Sequence, residues 1–556
     1  MERAEIAADQ SMLRAKWCHL GYYGGNSIAE WLREGVRKFP GVESIYYVDR
    51  RPRHTTNLEL YQASIKIASA LARLGVRSGD VVAVQLPTWY ETTVLYLALV
   101  HLGAIALPIV SIYGSAEVEF ILRESKAKLY FSPASWRKVD YLQRHATLRS
   151  LPHLEDIVIV GGGAPTGSRS WEHLEASATT CFEPTVTDPD SVSLLIYTSG
   201  TTSAPKGVQH THHGLLHEWG RPSYRNRGMY LANLPAGHYT GYGFMFRPSI
   251  YGAPMVFQDQ WDAQFAAELV QRHRVKAGGG TPIFLFSLLE MAEKYHFDIS
   301  SLESFGLGAE SVAPTTVQLA DSHGFPGARV YGSTEHPTVT SLDPEAPFER
   351  RAYTDGRVDE GNEVRIVDEK DRDVSLGGEG EILTRGPEMF AGYLDPELNC
   401  EAFVRGGWFR SGDIGRLDAE GYLTITDRKK DIIIRGGENI SSKEVEDALC
   451  RHPAVRAAAA IAMPDKSYGE KVCAFVELRG NSSLTLGEVQ KHFVHLGLAR
   501  QKTPERLEVI SELPRNSSGK IKKAELRAIV REAASPIESP HCATSAESDR
   551  HATRGK

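Results

Sequence analysis

The chain has 556 residues, 42% of them hydrophobic and 24% charged, with 70 acidic against 63 basic side chains and a net charge of −7. This length holds about two to four domains around one dominant core, and the composition excludes a mainly disordered chain or a multi-span membrane protein. The mild acidity excludes nucleic acid as the main partner, because neutralising phosphates needs a basic surface.

The N-terminus carries Glu2, Glu5 and Asp9 and no apolar h-region, so no secretory signal is expected. Apolar residues at helical spacing predict a helix over Leu60–Leu74, closed by Gly75, and Asp80 then leads into a short buried strand, Val81–Val84. The apolar stretch Thr92–Tyr113 is nearly long enough to span a membrane, but His101, Gly103 and Pro108 interrupt it. It reads instead as a buried helix ending near Gly103 followed by a buried strand, so no transmembrane segment is expected. The helix–glycine–strand rhythm recurs at Ile157–Val160 and Ser193–Tyr197, which argues for α/β layers with mostly parallel sheets.

Near Gly380–Leu383 and Gly421–Ile425 the pattern turns to short strands separated by turn residues, the mark of an antiparallel subdomain. After Asp427 the chain becomes basic (Arg428-Lys429-Lys430), and a new α/β unit starts at Ser441. It comprises helix Ser442–His452, strands Arg456–Ala462 and Lys471–Leu478, and helix Leu486–Gly497, which together are domain-sized. The domain boundary is placed at Arg428–Lys430. Residues 535–556 are rich in Ser, Ala, His and charge without periodicity, and a disordered tail is expected there. Cys18, Cys181, Cys400, Cys450, Cys473 and Cys542 form no CxxC and no zinc spacing. So few scattered thiols in a large chain suggest a reduced, cytoplasmic protein.

The strongest chemical signal is Tyr197-Thr198-Ser199-Gly200-Thr201-Thr202-Ser203-Ala204-Pro205-Lys206-Gly207, directly after a buried strand. Hydroxyls, glycine backbone and one ammonium are the donors a polyphosphate needs. The spacing is not that of a Walker loop, because Gly207 follows the lysine. A flexible linker would have the same composition, but not that position after a strand.

This loop resembles the signature of the adenylate-forming superfamily, which includes acyl-CoA synthetases, stand-alone adenylation enzymes and beetle luciferases. Four more motifs of that family follow in order: Tyr331-Gly332-Ser333-Thr334-Glu335, Trp408-Phe409-Arg410-Ser411-Gly412-Asp413, Asp427–Asp431 running into Arg435-Gly436-Gly437, and Pro514–Ile521. Together they cover roughly residues 30 to 530. The hinge run after Asp427 is most similar to medium-chain and alicyclic acyl-CoA ligases. Ser203 stands where the family usually has Gly, and Asn516 where Thr is more usual.

The resemblance implies an α/β fold with a large N-terminal domain (1–427), made of two α/β subdomains and a small β subdomain, and a smaller mobile α+β C-terminal domain (428–534). It implies ATP, Mg²⁺ and CoA as reaction partners. Thr198, Ser199, Gly200, Thr201, Thr202 and Lys206 would then cradle phosphates. Glu335 would hold Mg²⁺ through a hard oxygen, and Thr334 would meet the α-phosphate. Tyr331, next to Gly332, would stack on adenine, although a core tyrosine at a strand end reads the same way. Gly308, Ala309 and Glu310 would form the adenine-side loop, and Asp413 with Arg428 would hold the ribose. Lys520 would bridge the attacking carboxylate and the α-phosphate. Lys430 would be the hinge, with Arg435, Gly436 and Gly437 lining the CoA passage after rotation.

His238 matches a family position beside the carboxylate. The run Gly278-Gly279-Gly280 is unusual for a strand and suggests close approach of a ligand. With Tyr239, Gly279 and Gly280 would line an acyl pocket. No charged residue stands out as a partner for an amino acid's ammonium, which favours a hydrophobic acid. The expected reaction is ATP-dependent activation of a medium-chain, alicyclic or similar acid, followed by transfer to CoA. A loader of aryl or fatty acids onto a carrier protein, and an inactive relative used for binding, are the alternatives.

Overall fold

The computed structural model describes residues 1–198, 205–221, 228–310, 312–341, 343–435, 438–465, 468–480, 482–496, 498 and 500–534. The expected tail at 535–556, and Ser199, Gly200, Thr201, Thr202, Gly436 and Gly437, lie outside the described residues.

Fully buried parallel strands need apolar side chains on both faces, so they read as continuous hydrophobic runs. Val81–Val84 and Asp156–Val160 are such runs, and both lie in the first sheet. Among the described residues that sheet has eight strands. Its order begins at the edge strand Gly392–Tyr393, then Lys206–Thr211 and Val192–Thr198, and continues through Ile105–Pro108 and Val81–Val84. The hairpin of Val192–Thr198 with Lys206–Thr211 is antiparallel and brings Thr198 opposite Lys206. The apolar stretch resolves as expected into helix Tyr90–Leu102, buried along its length, and strand Ile105–Pro108. Gly103 ends the helix at φ +66, the left-handed cap that glycine adopts readily. This helix packs in a core shared by the two large sheets.

The second sheet has seven described strands. Ala277–Gly280 lies between Ser304–Leu307 and Tyr230–Ala232, all parallel. A separate antiparallel sheet carries Gly380–Arg385, Trp408–Leu417 and Leu423–Arg428, as the turn-rich pattern predicts. The last of these strands ends at Arg428, and a further sheet begins at Ile433. That sheet joins Val455–Asp465 antiparallel to Gly469–Leu478, with helix Ser442–Cys450 packed against it. Two of its helices, Ser442–Cys450 and Leu486–His495, are shorter than the predicted spans. Among the described residues no helix is long and apolar enough to cross a membrane.

Candidate active site

The carboxyl ends of the parallel strands of both large sheets face one cavity of about 1320 Å³. This is where open α/β sheets hold ligands. Thr198 and Lys206 line it from the hairpin. The Lys206 ammonium lies 5.1 Å from the centre of the Tyr393 ring, and the Tyr393 hydroxyl donates to Glu335 Oε1 at 2.8 Å. Tyr393 had no signal in the sequence. It arrives because its two-residue edge strand pairs with Lys206–Thr211, Val208 opposite Tyr393. Burial and the Glu335 carboxylate both push its phenol well above the ordinary range, so it stays a donor.

Thr334 and Glu335 are propped from behind. His210 is buried and hydrogen-bonds the Thr334 carbonyl through Nε2 at 2.8 Å. Burial drops its pKa to about 4, so the ring is neutral. The backbone N–H of Phe390 donates to the Glu335 carbonyl at 2.8 Å. The Glu335 carboxylate lines the cavity and fits Mg²⁺, which is commonly held by one or two carboxylates together with substrate phosphates and water. Among the described residues no cluster of three or more His, Cys, Asp or Glu side chains could hold a metal ion alone.

Behind Tyr331 and Arg428, which line the cavity, Asp413 is 3% exposed. It accepts from the Tyr331 hydroxyl at 2.7 Å and from Arg428 Nε at 2.5 Å. Tyr331 therefore carries a polar partner, beyond the ring face the sequence suggested, and Gly332 beside it lines the same cavity. Burial and Asp413 raise the Tyr331 pKa well above its ordinary value. Burial lowers the Arg428 pKa, but Asp413 outweighs it and the net shift is upward. Gly308 and Ala309 also line the cavity. Ala309 holds φ +66, a left-handed conformation that costs a side-chain-bearing residue about 1–2 kcal/mol.

The C-terminal loop docks here. Lys520 lines the cavity, half-buried. Burial and then the Arg428 cation lower its pKa to about 8. Four contacts hold its loop against the larger part of the chain. Ser517 Oγ and His238 Nε2 are hydrogen-bonded at 2.8 Å, and Thr281 Oγ1 donates to the Ser518 carbonyl at 3.2 Å. Arg515 Nη1 reaches both Glu310 oxygens at 3.3 Å, and Glu310 Oε2 accepts from the Ile521 N–H at 3.3 Å. Glu310 thus faces the loop, and burial, opposed by Arg515, raises its pKa to about 7. Gly519 sits at φ +85, and a Cβ there would come within 2.2 Å of Thr281 Oγ1, so only glycine lets the loop seat. Asn516, the departure from Thr, shapes the turn: its Oδ1 accepts from the Ser518 N–H and hydroxyl and from the Lys520 N–H.

Another part of the wall is made by small residues. Gly278, Gly279 and Gly280 line the cavity. A Cβ at Gly279 would meet Gly306 O and Tyr230 Oη at 3.1 Å each. His238 caps helix Tyr239–Phe244, and burial lowers its pKa to about 4. Tyr239 packs its ring 4.9 Å from that of His210. Lys430 lines the cavity, its pKa lowered by desolvation and by Arg428. Arg435 is not brought to the cavity. It pairs with Glu505 at 2.8 Å and lies 4.1 Å over the Tyr468 ring.

Residues 32–394 match the AMP-binding enzyme family, and 444–520 its AMP-binding enzyme C-terminal domain. The chain belongs to the AMP-binding enzyme family. Within it, the chain falls among the adenylate-forming acyl-CoA ligases, which are acid–thiol ligases. It is 36% identical to the medium-chain fatty-acid–CoA ligase of Escherichia coli, over 92% of each chain. It is 33% identical to an indenyl-propanoyl:CoA ligase of Mycobacterium tuberculosis, over 88% of this chain and 96% of the relative. Among solved structures, an anthranilate CoA ligase in complex with anthranoyl-AMP superposes with a TM-score of 0.83 at 25% identity, over 92% of this chain and 98% of that one. The o-succinylbenzoate CoA synthetase of Bacillus subtilis, in complex with ATP and magnesium ion, gives 0.74 at 27% identity, over 90% and 99%. Both share the mixed α/β fold with a large N-terminal and a smaller C-terminal domain.

Proposed function

We propose that this enzyme activates a hydrophobic carboxylic acid, medium-chain, alicyclic or similar, with ATP and passes the acyl group to CoA. The observation that carries this reading is the docked loop, which sets Lys520 in the same cavity as Thr198, Lys206 and Glu335, with an apolar track leading away. A carboxylate oxygen attacks the α-phosphorus, the bond to the bridging oxygen breaks, and pyrophosphate leaves. Negative charge builds on the phosphoryl oxygens, and a preorganised ammonium beside them lowers the barrier. Lys520 supplies that charge between carboxylate and phosphate. Asp413 would accept from the ribose hydroxyls, and Tyr331 would give its face to the adenine. Glu335 would hold Mg²⁺, which when bound neutralises phosphate charge.

In the second half-reaction the thiol loses its proton to solvent, sulfur attacks the acyl carbonyl, and AMP departs. The Lys520 loop fills the approach, so the domain 428–534 must turn on the body 1–427, with Lys430 as the hinge. Arg435 and its neighbours at 436–437 would then face the cavity. The similarity to CoA ligases supports CoA as acceptor, and the reduced thiols support a cytoplasmic location.

The test is pyrophosphate release over a panel of acids, with and without CoA. The expected result is acid-dependent release that CoA accelerates, with a thioester product. Acid-dependent release that CoA never accelerates, with no thioester, overturns the acceptor and leaves carrier-protein loading. No release with any acid overturns acid activation itself.

A further inference from the structure

Two opposite charges share one stretch of the cavity wall. Lys206 and Glu335 both line it, each half-buried. Among the described residues neither makes an ion pair, with the other or with any other side chain. Opposite charges in such a place attract several times more strongly than in water. One side chain stands against both. Tyr393, 5% exposed, gives its ring to the Lys206 ammonium, 5.1 Å from the ring centre, and donates its hydroxyl to Glu335 Oε1 at 2.8 Å. Glu335 Oε2 has no protein partner among the described residues. The ring is braced through its backbone. The Tyr393 N–H donates to Asn399 Oδ1 at 2.7 Å, and its carbonyl accepts from Asn399 Nδ2 at 3.3 Å. The N–H groups of Ala391 and Leu394 donate to the Gln209 and Gly207 carbonyls at 2.8 and 2.7 Å. From the outer side Gln10, on helix Arg3–His19, donates to the Ala391 carbonyl at 2.8 Å. The Phe390 N–H holds the Glu335 carbonyl, so one short segment grips both the backbone and the carboxylate of Glu335.

A lysine and a glutamate free to meet would neutralise each other, and an entering ligand would first have to break the pair. A cation–π contact and a hydrogen bond from an uncharged donor leave both charges whole. A glutamate already held by one oxygen also loses less rotamer freedom when the other binds. We propose that Tyr393 is a positioning residue that keeps Lys206 and Glu335 apart and holds each for its own part of a metal–triphosphate ligand. The ammonium is kept for phosphate, and the second Glu335 oxygen for Mg²⁺. The inference rests on the acid-activating reading above.

The experiment uses the purified full chain and a fluorescent ATP analogue, whose binding is read without turnover, in EDTA and along a Mg²⁺ titration. Tyr393→Phe keeps the ring and removes the donor. The Mg²⁺ concentration giving half the metal-dependent binding should rise about tenfold, with binding in EDTA unchanged. Tyr393→Leu also lets Lys206 reach Glu335, so binding in EDTA should fall about two- to tenfold. Adding Glu335→Gln to Tyr393→Leu removes the competing carboxylate and should restore it. An unchanged Mg²⁺ requirement in Tyr393→Phe overturns the inference. So does binding that weakens equally with and without Mg²⁺, the result of a purely structural tyrosine. Failure of the double variant to restore binding overturns the separation of the two charges. If Tyr393→Leu does not fold, Tyr393→Phe decides alone. Acid-dependent ATP–pyrophosphate exchange is run beside the titration. No exchange with any acid, together with the Mg²⁺ shift in Tyr393→Phe, condemns the acid-activating reading and upholds this one.

Discussion

At the end proposed for the nucleotide, charged and polar side chains hold one another: Asp413 between Tyr331 and Arg428, and Glu335 under Tyr393 beside Lys206. At the end proposed for the acyl group, Gly278, Gly279 and Gly280 line the cavity with backbone alone. The first plan preorganises charge, so each group removed leaves a partner unsatisfied and chemistry suffers. The second preorganises a void, so a group added costs fit while the chemistry stands. The contrast separates what sets rate from what sets choice.

Removing the central charge tests this contrast most severely. Lys520→Ala should lower adenylation roughly 100- to 1,000-fold while largely sparing thioester formation from supplied acyl-AMP. Equal loss of both half-reactions would remove Lys520 from its assigned step. In the wild type, kcat/KM for adenylation should fall as pH rises through about 8, because the lysine must be protonated. Bound ATP, being anionic, raises that pKa, so the fall in kcat lies at higher pH. Lys520→Arg should abolish the fall, since arginine does not titrate in this range.

Asp413→Asn should come next, raising KM for ATP about 10- to 100-fold while leaving the ranking of acids unchanged. A changed acid ranking would mean that the two ends are not separable.

Loop docking should respond more gently. Glu310 has a docked pKa of about 7, raised by burial, against an ordinary carboxylate value once the loop leaves. Docking then takes up a proton, so the docked form gains as pH falls through 7, by at most about tenfold per unit. Paired fluorophores on the two domains would read this population. Glu310→Gln, which cannot titrate, should flatten the profile.

The smallest effect belongs to the acyl end. Gly279→Ala should lower kcat/KM for medium-chain acids about fivefold, and for acetate less. The added methyl would meet a backbone oxygen and the Tyr230 hydroxyl at 3.1 Å.

The same division explains what the sequence made legible. Helix Tyr90–Leu102 with its Gly103 stop, and strand Val81–Val84, follow from local pattern and a left-handed cap. The residues assigned to a nucleotide from the sequence sit together in short runs, and the structure brings Thr198, Lys206, Tyr331, Glu335, Arg428 and Lys520 to one cavity. Tyr393 and the contact of Ser517 with His238 were not legible. Each arises through distant pairing: an edge strand against Lys206–Thr211, and a docked loop against His238. The docking role of Glu310 was equally hidden, since its partner Arg515 lies 205 positions away in the chain. Glycine runs announce an open space without saying what borders it.

A floor of bare backbone is also a ruler. Strand side chains alternate between faces, so the mark is Gly279: a methyl there meets Tyr230 Oη, whereas one at Gly278 would meet Phe305 and one at Gly280 would meet Phe284. The strand is held on both sides by parallel neighbours, so its backbone need not move when a mark is used. On the proposed reading, a substitution at that mark would shorten the acids accepted while the groups assigned to phosphate keep their places.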